Sequence, residues 1–136
     1  MLPGEIILND NLAVETVKLS ASATSIPKGA AVATNGTDGF TNATPEFAAT
    51  SKIYIALDAV PIVNTSLPNG CIRVVTRGVV STLKSVGTKI LKGQKLIISP
   101  TIAGQVTVAT DNNGIVIGEA YSDAEATDTV CTIRLL

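Results

Sequence analysis

The chain has 136 residues, a formal net charge of −1 from 10 basic and 11 acidic side chains, no His and no Trp, and 46% hydrophobic residues of which few are aromatic. One domain, or two very small ones fused, is the size this permits, with about two thirds of the unfolded surface buried. The weak charge gives no footprint for nucleic acid or an anionic membrane, and the lack of His removes Ser-His-Asp and Cys-His catalysis together with the commonest zinc or iron ligand.

Taken in chain order, "MLPGEIILNDNLAVETVKL" has neither the basic start nor the apolar run of a signal peptide, and no stretch reaches the roughly 18 apolar residues of a membrane-spanning helix. Synthesis and residence in the cytoplasm are the expectation. Residues 1–14 read as an N-terminal arm, a mobile segment able to add a strand to another sheet, followed by one β domain over 15–136. Alternation and β-branched content predict strands at 4–8, 13–19, 30–34, 52–57, 71–76, 78–83, 95–99, 105–109, 114–120 and 129–135. Turn signals separate them: "LPNG", "TRG", "KSVG", "LKG", "IAG" and "DNNG". No dozen-residue window shows a helical period, although "SDAEATD" (122–128) has room for one turn. Residues 33–51, polar and rich in Asn, Thr and Gly, read as a long loop carrying both phenylalanines, Phe40 and Phe47, as contact residues or as caps of the barrel end.

The chain also repeats itself. "LSASATSIPKG" (19–29) aligns with "LKSVGTKILKG" (83–93), matching Leu19 with Leu83, Ile26 with Ile90 and Gly29 with Gly93 at an offset of 64. "FTNAT" meets "VTVAT" at an offset of 66, "IYIALDA" meets "IVIGEAY" at 62, and "IRVV" meets "IRLL" at 61. The conserved order points to a tandem duplication with pseudo-repeats at about 19–79 and 83–136. In this frame Ile72, Val74, Ile133 and Leu135 face inward, while Arg73, Arg77 and Arg134 face outward, either toward a partner's carboxylates or as charges that keep sheet edges from pairing. Cys131 falls on the apolar face and Cys71 on the Arg face, so a disulfide between them is not expected. The fold class is all-β: a small β-barrel or β-tulip-like domain built by duplication.

Chemistry is sparse. Cys71 and Cys131 lack metal-ligand spacing, the glycines sit singly at turns rather than in a phosphate-binding loop, and Asp123, Glu125 and Asp128 do not match a calcium loop. Lys28 and Lys92, each in an "Ile-x-Lys-Gly" turn, read as solvated turn lysines. The sequence predicts no enzyme, no cofactor and no metal.

The run "RGVVSTLKSVGTKILKGQKLII … GQVTVAT … GIVIGEAYSDAEATDTVCTIRLL" resembles a broad family of phage capsid decoration, or cement, proteins, which share a "GVV…G..I.KGD.V", a "G.VT" strand and a closing "IG.A..DA..G..V.VRL". The likeness rests on Gly78 to Val80, Gly87, Ile90, Lys92, Gly93, Gly104, Val106, Thr107, Ile117, Gly118, Ala120, Asp123, Ala124 and Ile133 to Leu135; Gln94 stands where Asp is commoner, and "TDT" replaces a Gly. The resemblance implies a virion structural protein on the outer surface of an icosahedral capsid, made in the host cytoplasm, with the major capsid protein and itself, as a homotrimer, for partners, and neither nucleic acid nor membrane. Candidate capsid or protomer contacts are Leu2, Ile6, Ile7, Phe40, Phe47, Arg73, Arg77 and Arg134. The alternative is a head fibre or a receptor- or glycan-binding module of a virion. A third reading, the β-clip domain of a sugar-acid enzyme suggested by "IPKGAAV", lacks the catalytic domain that normally accompanies it.

Overall fold

The computed structural model describes residues 2–61, 66–109 and 114–136, without the side chains of 8–11. Most of the "DNNG" signal and the centre of the 60–69 connection therefore lie outside the described residues. The elements are β1 (Ile6–Lys18), β2 (Ala31–Thr34), β3 (Phe40–Asn42), α1 (Pro45–Thr50), β4 (Tyr54–Ala56), β5 (Cys71–Leu83), β6 (Lys95–Ile98), β7 (Val106–Val108), β8 (Gly118–Ala120) and β9 (Val130–Leu135). They form one curled antiparallel sheet in the order β3-β2-β4-β5-β9-β8-β6-β7, with β1 alongside β5. The fold is all-β.

The duplication is visible as a repeated pairing scheme. In the first half β2 pairs with β3 and β4, β4 pairs with the start of β5, and that stretch of β5 pairs with Ala13–Lys18 of β1. In the second half β6 pairs with β7 and β8, β8 with β9, and β9 with the end of β5. Parallel bridges, Leu19 to Phe40 and Lys84 to Val106, then bring the ends of each five-strand path together, and antiparallel bridges join Ile26 to Val60 and Ile90 to Ala124. The long strand β5 serves both halves. Its start closes the first and its end opens the second, so that "TRG" is strand rather than turn: β5 passes through Gly78 at φ 126 without leaving the sheet.

The pairing also corrects the alignment of the repeats. Backbone bonds from Leu57 N to Arg73 O and from Tyr121 N to Thr132 O are equivalent, which sets β4 against β8 at an offset of 64 and the start of β5 against β9 at 59. Cys131 is therefore the counterpart of Ile72, and Arg73 that of Thr132, not of Arg134. Matching letters had shifted the frame, because a strand's structural position is fixed by its partners and not by the identity of its side chains.

Two further expectations are overturned. The arm at 1–14 has no boundary at residue 14, since β1 runs continuously through it, and its beginning lies on β5 rather than apart from the domain. Gly4 N donates to Ser81 O, Ser81 N donates to Glu5 O, Glu5 N donates to Ser81 Oγ, Ser81 Oγ donates to Leu2 O, and Ile6 faces Val80. The loop at 33–51 contains β3 and α1. Thr44 caps that helix by accepting from Phe47 N, and Pro45 opens it where a missing N–H costs nothing. The segment 122–128 forms turns, not helix.

Packing divides into two regions. Ile26, Ala30, Val32, Ala56, Ile72 and Val74 fill the inside of the first half, walled by Val17, Leu19, Phe40 and Tyr54. A larger core joins the inside of the second half (Ile90, Leu96, Val106, Ala120, Cys131, Ile133) to the opposite face of the first (Ala31, Ile55, Leu57, Val75), and includes Ile117 and Leu135. Ile72, Val74, Ile133 and Leu135 are buried as the sequence predicts, and Ile117 is buried with them. At 25 cal/mol per Å², each fully buried Ile or Leu contributes about 2 kcal/mol relative to exposure.

Candidate contact surface

Each half presents a row of side chains across neighbouring strands. In the second half Lys95, Glu119 and Arg134 stand side by side on β6, β8 and β9. Their side chains reach solvent, with 61% of Lys95 and 39% of Glu119 exposed and an ion pair of 3.7 Å between them. Tyr121 follows β8. Above its ring lie the Arg134 guanidinium at 5.5 Å and the Lys92 ammonium at 6.0 Å, a cation–π arrangement contributing about 0.5–1 kcal/mol at exposed sites. Lys92 N donates to Asp123 Oδ1 at 2.7 Å, which ties the Lys-Gly turn to the β8–β9 connection. Sheet positions and this tie hold two cations and an aromatic ring in place on one outer face.

Arg73 is placed differently. Asp58, 8% exposed, receives the Arg73 Nη2 at 2.8 Å, Nε at 3.0 Å and backbone N at 2.8 Å. These hydrogen bonds, then the carboxylate charge, raise the guanidinium pKa further. Its donors are committed within the chain, so it is a joint rather than a contact. The second half fills the equivalent position with a hydroxyl pair, Ser122 to Thr132 at 2.5 Å. Arg77 is exposed on β5 opposite Ala13.

The two phenylalanines are packing residues. Phe40 stacks on Tyr54 with centroids 5.7 Å apart and planes 17° from parallel, at the wall of the first core. Phe47 on α1 packs against the larger core. Leu2, Ile6 and Ile7 are exposed, at 67%, 41% and 38%; their backbone is held by β5 while their side chains face water. Of the eight candidates, Leu2, Ile6, Ile7, Arg77 and Arg134 lie on the surface.

Two features escaped sequence reasoning. A cleft of about 410 Å³ lies between α1 and the segment after β6, lined by Pro45, Ala48, Ile97, Ile98, Pro100 and Ile115; its sequence signal was the Thr-Pro pair that opens α1. Lys84 is 1% exposed, and its Nζ donates to Ser85 O at 2.9 Å and Asp128 O at 3.3 Å. Nothing in "LKSVG" marks that lysine as buried. Burial pushes the Cys131 thiol up to about 12, with the Lys84 charge opposing, so Cys131 stays a protonated, inert core residue. Both cysteines are free. Among the described residues no three of Cys, Asp and Glu stand close enough to share a metal ion, and no helix is long and apolar enough to cross a membrane.

A scan of protein-family models, a search of curated proteins and a search of solved structures each return no match for this chain.

Proposed function

We propose that this chain is a structural protein of a virus head, which binds the outer surface of an icosahedral capsid and bridges neighbouring major capsid subunits. The observation that carries the reading is the way its motif residues work together. Ile90 and Ala124 exchange backbone hydrogen bonds, Lys92 N donates to Asp123, and Gly93 N donates to Ala120 O. The "I.KG" and "A..DA" segments that carry the resemblance thus form one joint, which fixes the Tyr121 face and leaves Lys92 and Arg134 outward. Rigid sheet, a charged outer face and side chains committed to packing suit a protein whose work is adhesion, where several weak contacts per particle add through effective concentration.

The test is co-sedimentation of the purified chain with expanded, undecorated capsids of the virus that encodes it, with mass spectrometry of intact virions beside it. Saturable binding and presence in the virion are expected. Absence from both sinks the reading. The cleft beside α1 favours one second reading, a ligand-binding module of a head fibre, for which a glycan array showing selective binding is the discriminating result.

A further inference from the structure

We propose that the outer edge of β1, over Val14–Lys18, is a strand-pairing surface for a second copy of this chain, which docks there antiparallel about a two-fold axis. Natural sheets blunt their edges by keeping edge strands short. Here β3 and β7, which end the sheet path, have three residues each, whereas β1 has thirteen and, among the described strands, forms its ladder with β5. Ile6, Ile7 and Val14 are among the exposed large apolar side chains, Val14 at 42%.

The chain itself shows which partner fits. Strands β1 and β5 open equivalent halves, are both thirteen residues long, and pair antiparallel with each other. This type of strand therefore already pairs with its own repeat. Moreover, β5 carries strands on both edges, β1 on one and β4 with β9 on the other, while among the described residues β1 carries one strand neighbour over 14–18 and meets β3 only at its end, where Gly39 and Phe40 lie against Lys18 and Leu19. A second copy of β1 supplies the missing one. A two-fold axis through Thr16 sets Val14 opposite Lys18 and Glu15 opposite Val17, so no like charges face each other, whereas axes through Glu15 or Lys18 oppose identical charges. The two-fold symmetry makes the contact self-complementary and closed. Five residues per edge place it at the small end of interface sizes, with a Kd on the order of 10 μM. This contact is independent of the capsid reading, and gives the free protein a dimer where the resemblance implies a trimer.

Sedimentation velocity on the full chain from about 1 to 200 μM tests it. A monomer–dimer equilibrium is expected, weakened at least tenfold in the Val14→Lys/Thr16→Lys double variant with an unchanged melting temperature. Should the lysine pair unfold the chain, Thr16→Cys in a Cys71→Ser background replaces it: mild oxidation links two copies through residue 16, and Thr37→Cys in the exposed β2–β3 loop does not. A monomer throughout, a trimer, a dimer indifferent to the lysine pair, or a chain that gains a strand only on capsids overturns the proposal.

Discussion

The row Ala31, Ile55 and Val75 on the first half and the row Lys95, Glu119 and Arg134 on the second occupy equivalent positions in the same pairing scheme. The first three are wholly buried in the larger core, and the last three face water. Equal backbones have thus received opposite chemistry. Covering decides it, because the second half packs over the first half's outer face: its Gly104 accepts from Ala31 N and donates to Ala43 O. Among the described residues none covers the row Lys95, Glu119 and Arg134 in the second half. An uncompensated charge under such a cover would cost several kcal/mol, and an apolar row in water would expose a patch. A duplicated module can join its twin only by making one of its two outer faces a core.

Exchange of row residues between halves gives the largest expected effect. Ile55→Glu places a carboxylate in the larger core and costs about 4 kcal/mol or more, enough to unfold a small domain; Glu119→Ile changes stability by no more than about 0.5 kcal/mol. Guanidinium unfolding of both variants measures the difference, and equal costs would remove the distinction between the faces.

The equivalent glycines Gly29 and Gly93 sharpen it next. Both have φ near +90, at 88 and 90, so an alanine at either pays left-handed strain of about 1–2 kcal/mol. A Cβ at Gly29 would also stand 2.5 Å from the Cβ of Pro3, while at Gly93 nothing lies within 4 Å. Gly29→Ala is expected to cost at least ~1 kcal/mol more than Gly93→Ala, and to speed hydrogen exchange at Gly4 and Ser81, which the N-terminal segment protects. Matched costs would mean that this segment contributes nothing to the union of the halves.

Asp58→Ala strands the Arg73 fork and is expected to cost about 2 kcal/mol, less than a fully buried pair because 44% of the Arg73 side chain reaches solvent. Borrowing the other half's solution, Asp58→Ser/Arg73→Thr should recover at least half of that loss, as a double-mutant cycle will show.

A further effect is a pH dependence confined to one core. Cys131 has a folded pKa of about 12 against 9.0 unfolded, so the folded state holds its proton longer. Its contribution is complete below pH 9 and is lost as pH rises from 9 toward 12. By pH 10 the loss is about 1.4 kcal/mol. Cys131→Val removes that slope, and Cys71→Ser leaves it; denaturant midpoints at pH 8 and pH 10 discriminate.

Much of this could be read from the letters. Period-2 alternation revealed the strands, turn dipeptides their ends, and "IRLL" the inward set Ile133 and Leu135. What escaped has physical causes. Helix α1 has six residues, too short for a 3.6-residue period, so only its Thr-Pro cap could announce it. Strands 71–76 and 78–83 fused because Arg77-Gly78 resembles a turn, whereas the sheet bends through it with β1 and β9 pairing on either side. Arg73 and Arg134 looked equivalent because their neighbours match, yet their contacts come from connections that differ between the halves, the Asp58 carboxylate in one and the face of the Tyr121 ring in the other. Lys84 is solvated by its neighbour's carbonyl and by one brought from residue 128, a contact that only the folded chain creates.

Thiol labelling of one row position in each half most directly tests whether equivalent faces have opposite roles. In a Cys71→Ser background, Val75→Cys and Arg134→Cys place equivalent thiols on β5 and β9, and native Cys131 is a buried internal reference. Arg134→Cys should react with a small disulfide reagent as an open thiol does, and Val75→Cys at least about a hundredfold more slowly, at the rate of local or global opening. Equal rates for the two would contradict the burial of the first half's outer face and, with it, the union of the halves described above.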